Sequence, residues 1–183
     1  MSNNTEPMLS DAIEGFVFQT TETCPEAELD RTTFEVACVD LISRLENCLA
    51  RATEMEKDDF VDKSGKIGRQ MAGPLKTFTR QFLTGKAAEQ ANAEISRAVS
   101  ISHTYEEVLK TRPLTNAIIR TFFNVDEVEQ VRESHERLGE SLVRACAATF
   151  YHAIKMVGLD SELGREIDQS SVIFVNQLKD SWK

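Results

Sequence analysis

The 183-residue chain predicts an all-α, up-and-down bundle of four to six helices. Three observations lead there. From Phe34 to Met55 the apolar residues Phe34, Cys38, Leu41, Leu45, Cys48, Ala52 and Met55 alternate steps of four and three, the seam of an amphipathic helix. Weaker stripes of the same spacing recur downstream, and no useful stretch alternates apolar and polar residues as a strand does. Connections between stripes are short, which sets neighbouring helices antiparallel.

Taken in order, residues 1–8 are polar and read as disordered. Leu9, Ile13, Phe16 and Val17 then mark a short amphipathic stretch, and residues 19–31, rich in Thr and Glu and holding Pro25, read as a connector. Thr32 and Glu35 fit the pair in which two side chains satisfy orphaned amides at a helix start, so the main helix is expected from about residue 33 to about residue 57. Residues 58–73 hold Gly65, Gly68 and Gly73, whose backbone entropy opposes helix, and read as a mobile loop. Pro74 suits the first turn of a short helix carrying Leu75, Phe78 and Phe82 and stopped by Gly85.

A thinner stripe of Ala91, Ile95, Ala98, Tyr105 and Leu109 predicts a long helix from Lys86 to Thr111, its small residues allowing close approach. Pro113, which disfavours helical geometry at Arg112, is expected to end it. Leu114, Ile118, Phe122 and Val125 continue helically, and Val128, Val131, Leu138, Leu142, Ala145 and Thr149 carry the spacing to Gly158, with a break expected at Asn124. Asp160 is the expected cap of a last helix whose face is Leu163, Ile167, Phe174, Leu178 and Trp182.

Length and composition, 41% hydrophobic and 28% charged, suit one soluble domain with a core of its own. No apolar run approaches the roughly 20 residues that cross a bilayer, and the first residues lack a secretory signal, so a cytoplasmic location is expected. Cys24, Cys38, Cys48 and Cys146 show no Cys-x-x-Cys spacing and read as reduced small hydrophobes. The net charge of −9 disfavours nucleic acid as a partner.

That charge is unevenly spread. Residues 1–62 carry 15 acidic and 4 basic side chains, residues 63–88 carry 6 basic and none acidic, and the remainder carries 15 acidic and 11 basic. Lys63, Lys66, Arg69, Lys76, Arg80 and Lys86 are therefore the candidate binding residues, for a protein partner or for anionic lipid headgroups. The segment also holds Met71, Leu75, Phe78, Phe82 and Leu83, which could insert between headgroups or fill the core.

Catalytic patterns are missing. None of His103, His135 and His152 has a glutamate three residues earlier, as a di-iron bundle requires, and no zinc, phosphate-loop, nucleophile-elbow or dinucleotide motif is present. Neighbouring carboxylates such as Glu106 with Glu107, or Glu127 with Glu129, read as solvated faces, and His135 as a packed histidine. The expectation is a chain without enzymatic activity, metal or cofactor.

Residues 114–142, LTNAIIRTFFNVDEVEQVRESHERLGESL, combine the aromatic pair Phe122–Phe123, the acidic turn of Asp126 and Glu127, and the Glu136–Arg137–Leu138 core of a long helix. The stretch resembles the end of the N-terminal, HeLo-like helical bundle of mixed-lineage kinase domain-like proteins and of related fungal and plant cell-death modules. The resemblance implies a bundle that self-associates or engages a signalling partner, and in some relatives reaches phosphoinositide membrane through basic residues. By character their counterparts are Lys63, Lys66, Arg69, Lys76 and Arg80. The expected function is thus a non-catalytic interaction or cell-death signalling module. A peripheral lipid-binding protein is the alternative, and a small-molecule enzyme with a pocket in the bundle is the third possibility.

Overall fold

Apolar stripes turned toward one another give the chain an all-α bundle with a shared hydrophobic core. The computed structural model describes residues 6–13, 30–122 and 127–183, and the side chains of residues 111–130 fall outside the description. The described residues form six helices and no strand: α1 (Met8–Asp11), α2 (Arg31–Thr53), α3 (Lys57–Phe82), α4 (Gly85–Phe122), α5 (Glu127–Val157) and α6 (Glu162–Ser181). The expected break at Asn124 lies outside the described residues, as does the connector expected at 19–31 up to residue 29, while Asp30 and Arg31 already belong to the start of α2.

Helix α2 carries the predicted seam except at Cys48 and at Met55, which lies beyond the helix because α2 ends at Thr53, short of the expected residue 57. Phe34, Cys38, Leu41, Leu45, Leu49 and Ala52 are buried, whereas Cys48 is only half-buried, because the larger Leu49 removes more apolar area from water. Its cap is Asp30 rather than Thr32: the carboxylate accepts the Thr32 amide at 3.1 Å and the Thr33 hydroxyl at 2.5 Å. An ionised carboxylate answers both the orphaned amides and the positive end of the helix dipole.

The largest departure is α3. Where a loop over 58–73 and a helix starting at Pro74 are expected, one unbroken helix runs from Lys57 to Phe82, with Pro74 inside it. The glycines serve close packing. A Cβ on Gly65 would stand 2.8 Å from the Ser102 carbonyl oxygen and 2.5 Å from Glu106 Cγ, and one on Gly68 would meet the Ser102 hydroxyl and, at 3.2 Å, Leu138. Gly73 faces open space but precedes Pro74, where a missing Cβ eases the clash with the proline ring. An interior proline costs about 3 kcal/mol and each glycine about 1. Burying Phe60, Ile67, Met71, Leu75 and Phe78, at about 1.5–3 kcal/mol each, outweighs those costs.

Helix α4 likewise continues through residue 113 instead of stopping there, and its thin stripe of Ala91, Ile95, Ala98 and Tyr105 is buried. Helix α5 packs on α3, α4 and α6. Every residue from 145 to 154 is buried, so this end of α5 is wrapped on all sides, and the one-sided seam expected there is too narrow. Ser161, not Asp160, caps α6, its hydroxyl accepting the Gly164 amide at 2.9 Å. Tyr105 meets His135 while Gln90 meets His152, so α4 and α5 run antiparallel, and Phe150 meets Phe174 while Gly139 meets Trp182, so α5 and α6 do too.

Residues 7–13 are anchored, against the expectation of disorder to residue 8. Leu9 is fully buried, and the buried Asp168 carboxylate of α6 accepts the Met8 and Leu9 amides at 2.9 and 3.0 Å. Lys179 donates to the Ala12 carbonyl at the other end of α1.

The α3–α4 contact gives a ranked prediction. Gly65→Ala should lower stability in urea denaturation by about 1–3 kcal/mol, because its obstacle includes a backbone carbonyl. Gly68→Ala should cost less, since a serine hydroxyl and a leucine methyl can rotate aside.

Candidate functional site

Helical spacing decides where the cations point. On α3, Lys66, Arg69, Lys76 and Arg80 recur by steps of three, seven and four, which returns them to one face, and Lys63 stands at its edge. The opposite face is the one that Ile67, Met71, Leu75 and Phe78 bury. Lys86 lies across the helix break, in the first turn of α4. The structure thus aligns five of the six candidate residues along one helix and leaves the sixth beyond its end.

These cations are not equivalent. Arg69 is half-buried and clasps Glu106 of α4, the residue that also lies over Gly65. The guanidinium holds the Glu106 carboxyl below the usual carboxylate range. Arg69 therefore ties α3 to α4. Lys63, Lys66, Lys76, Arg80 and Lys86 are exposed and have no ion-pair partner among the described residues. Exposed Asp59 and Asp62 in the first two turns bound the stripe at its N-terminal end.

The apolar residues of the same segment are unavailable for insertion into a membrane. Met71 and Leu75 are fully buried, Phe78 and Leu83 are 4% exposed, and Phe82 is half-buried against the Phe34 and Phe78 rings. They belong to the core, and what α3 offers outward is charge. Among the described residues no helix is long and apolar enough to cross a membrane.

A second cluster joins residues distant in sequence. His135 of α5 stacks on Trp182 at 5.6 Å and touches the Phe60 and Tyr105 rings, while the Tyr105 hydroxyl donates to the Val61 carbonyl at 2.6 Å. Trp182 reaches this place because Gly139 has no Cβ to collide with the indole. Ser64 Oγ lies 2.8 Å from His135 Nδ1 and donates to the Phe60 carbonyl at 2.7 Å. With the hydroxyl proton committed to that carbonyl, Oγ accepts from Nδ1–H, so the ring does not act as a base toward the serine. The pair fastens α3 to α5.

His152 is also buried, its Nε2 lying 2.6 Å from Gln90 Oε1 of α4. Glu94, one turn along α4, sits between Arg144 of α5 at 3.4 Å and Arg97 at 3.7 Å. Burial pushes the Cys38 thiol up to about 12 and raises that of Cys146 as well, so neither is a ready nucleophile. Among the described residues no group of three or more His, Cys, Asp or Glu side chains is placed to hold a metal ion. Ser64, Gln90 and Trp182 carry no local spacing that marks them as partners of histidines dozens of residues away.

No protein-family model, curated protein or solved structure matches the chain.

The histidines set a pH dependence. Burial, with the Lys57 charge as a smaller cause at His135, lowers both rings to about 4 from an ordinary value of 6.5. Between those values the unfolded chain binds more protons than the folded one, so their contribution is complete above about pH 6.5 and is lost as pH falls toward 4. Each should cost about 2 kcal/mol over that window, and urea midpoints measured from pH 7.5 to 4.5 should fall accordingly. A His152→Gln variant should show the shallower profile.

Proposed function

We propose that the protein is a non-catalytic, cytoplasmic interaction module that takes an acidic protein partner on the outer face of α3. One observation carries the reading: Lys63, Lys66, Lys76 and Arg80 are exposed along one helix whose apolar side is committed to the core. A rigid row of cations without insertable side chains attracts by charge alone, which suits an acidic surface better than a membrane whose binding relies on buried apolar area. The acidic remainder of the chain, which brings the total to −9, repels other polyanions and directs their approach to the stripe. The resemblance of residues 114–142 to cell-death bundles favours a partner that is itself a signalling protein.

The same row could meet anionic headgroups without insertion, and one experiment separates the two. The full chain and a variant with Lys63, Lys66, Lys76 and Arg80 changed to glutamate are titrated with a ten-residue Asp/Glu peptide and, in parallel, sedimented with vesicles containing phosphoinositide. Peptide binding that weakens at least about tenfold in the variant, and that falls as salt rises, supports the proposal. Variant-sensitive binding to vesicles alone assigns the stripe to lipid. Equal behaviour of the two proteins removes it from the function.

A further inference from the structure

The row of cations on α3 is interrupted. Lys63 and Lys66 form one pair, and Lys76 and Arg80 form another, so that two positive poles stand roughly 20 Å apart along the helix at its rise of about 1.5 Å per residue. Arg69 falls between the poles, but it is committed to Glu106 and adds little outward charge. Exposed Asp59 and Asp62, one turn before the first pole, repel an acidic ligand that slides past it.

Between the poles the surface is backbone. Gly73 is exposed at the centre of this face, and a Cβ placed on it would meet nothing within 4 Å. Pro74 follows and has no N–H, so the Gln70 carbonyl four residues earlier lacks its donor in the helical ladder. Gln70 is exposed as well, which leaves that oxygen to water in the unbound chain. A neutral amide side chain can take the water's place, whereas a carboxylate has no proton to give. A helix laid along α3 has the same rise, so two acidic turns on one of its faces reach both poles at once. The missing side chain at Gly73 admits it closely between them, as Gly65 and Gly68 admit α4.

We propose, resting on the reading that α3 takes an acidic protein partner, that the partner presents a helix with two acidic turns, one for each pole, and between them an amide side chain that donates to the Gln70 carbonyl. The poles set attraction and register. The central amide separates this partner from one that is merely acidic.

The full chain is titrated with three stapled helices of equal length and charge. The first carries two acidic turns roughly 20 Å apart on one face with Asn midway, the second gathers the same residues into one acidic block, and the third is the first with Ala in place of Asn. The first should bind at least about tenfold tighter than the second, because only it meets both poles. It should also bind about threefold or more tighter than the third, the effect of one net hydrogen bond. Pro74→Ala restores the amide that the Gln70 carbonyl lacks and leaves every charge in place, and alanine suits a helix interior, so the variant keeps its fold. In Pro74→Ala the first and third helices should bind alike, both still tighter than the block. Equal, salt-sensitive binding of the first and second helices overturns the two-pole seat while the charge reading stands. No preference for Asn in the parent, or a preference that survives in Pro74→Ala, overturns the central hydrogen bond. Binding of none of the three overturns the inference together with the reading it rests on.

Discussion

The bundle depends on how closely α3 can approach α4. Gly65 and Gly68 let the α3 backbone settle against Ser102 and Glu106, and that contact allows α3 a single rotation about its axis. With the glycines held toward α4, Ile67, Met71, Leu75 and Phe78 must face the core and the lysines must face water. The Arg69–Glu106 ion pair closes over the same contact, so one cation of the acid-free segment secures the orientation that exposes the others. Packing and surface charge are here two consequences of one helix rotation.

Around this contact the polar groups of the interior are arranged in pairs that join helices. Ser64 with His135 links α3 to α5, His152 with Gln90 links α5 to α4, and Asp168 with two amides links α6 to α1. Each buries a hydrogen bond whose loss would leave a group unsatisfied, which makes such pairs specific fasteners more than sources of net stability. In the Ser64–His135 pair the hydroxyl also reaches the Phe60 carbonyl at 2.7 Å, which takes its proton.

Much of the fold was legible in the chain, and the exceptions have physical causes. The α2 seam and the buried faces of α4 and α6 followed from spacing alone, because helical periodicity is a local property. The glycines of α3 misled because the same residue that loosens an isolated helix tightens a packed one, and only the presence of α4 decides between these effects. Pro74 and residue 113 misled for a related reason: a local penalty of about 3 kcal/mol is smaller than the tertiary burial available on either side of Pro74. At Asp30 and Ser161 the caps moved by one or two positions, since Thr32 and Asp160 offered equally plausible oxygens. For the candidate site, charge counting found the cations, but the loop expected over residues 58–73 gave Lys63, Lys66 and Arg69 no common face with Lys76 and Arg80, and only the continuous α3 supplies one. Charge counting could not show that Arg69 is spent on Glu106, nor that the phenylalanines beside it are enclosed.

Continuity of α3 is the claim on which the rest stands, and native-state amide hydrogen exchange tests it most directly. If Lys57–Phe82 is one packed helix, the amides from Ser64 to Ala72 exchange as slowly as those of Leu75 to Thr79, apart from a local rise beside Pro74. Fast exchange across residues 62–73 with protection beginning only after Pro74 would restore the glycine-rich stretch to a loop. The cationic face and the glycine contact would then both be lost.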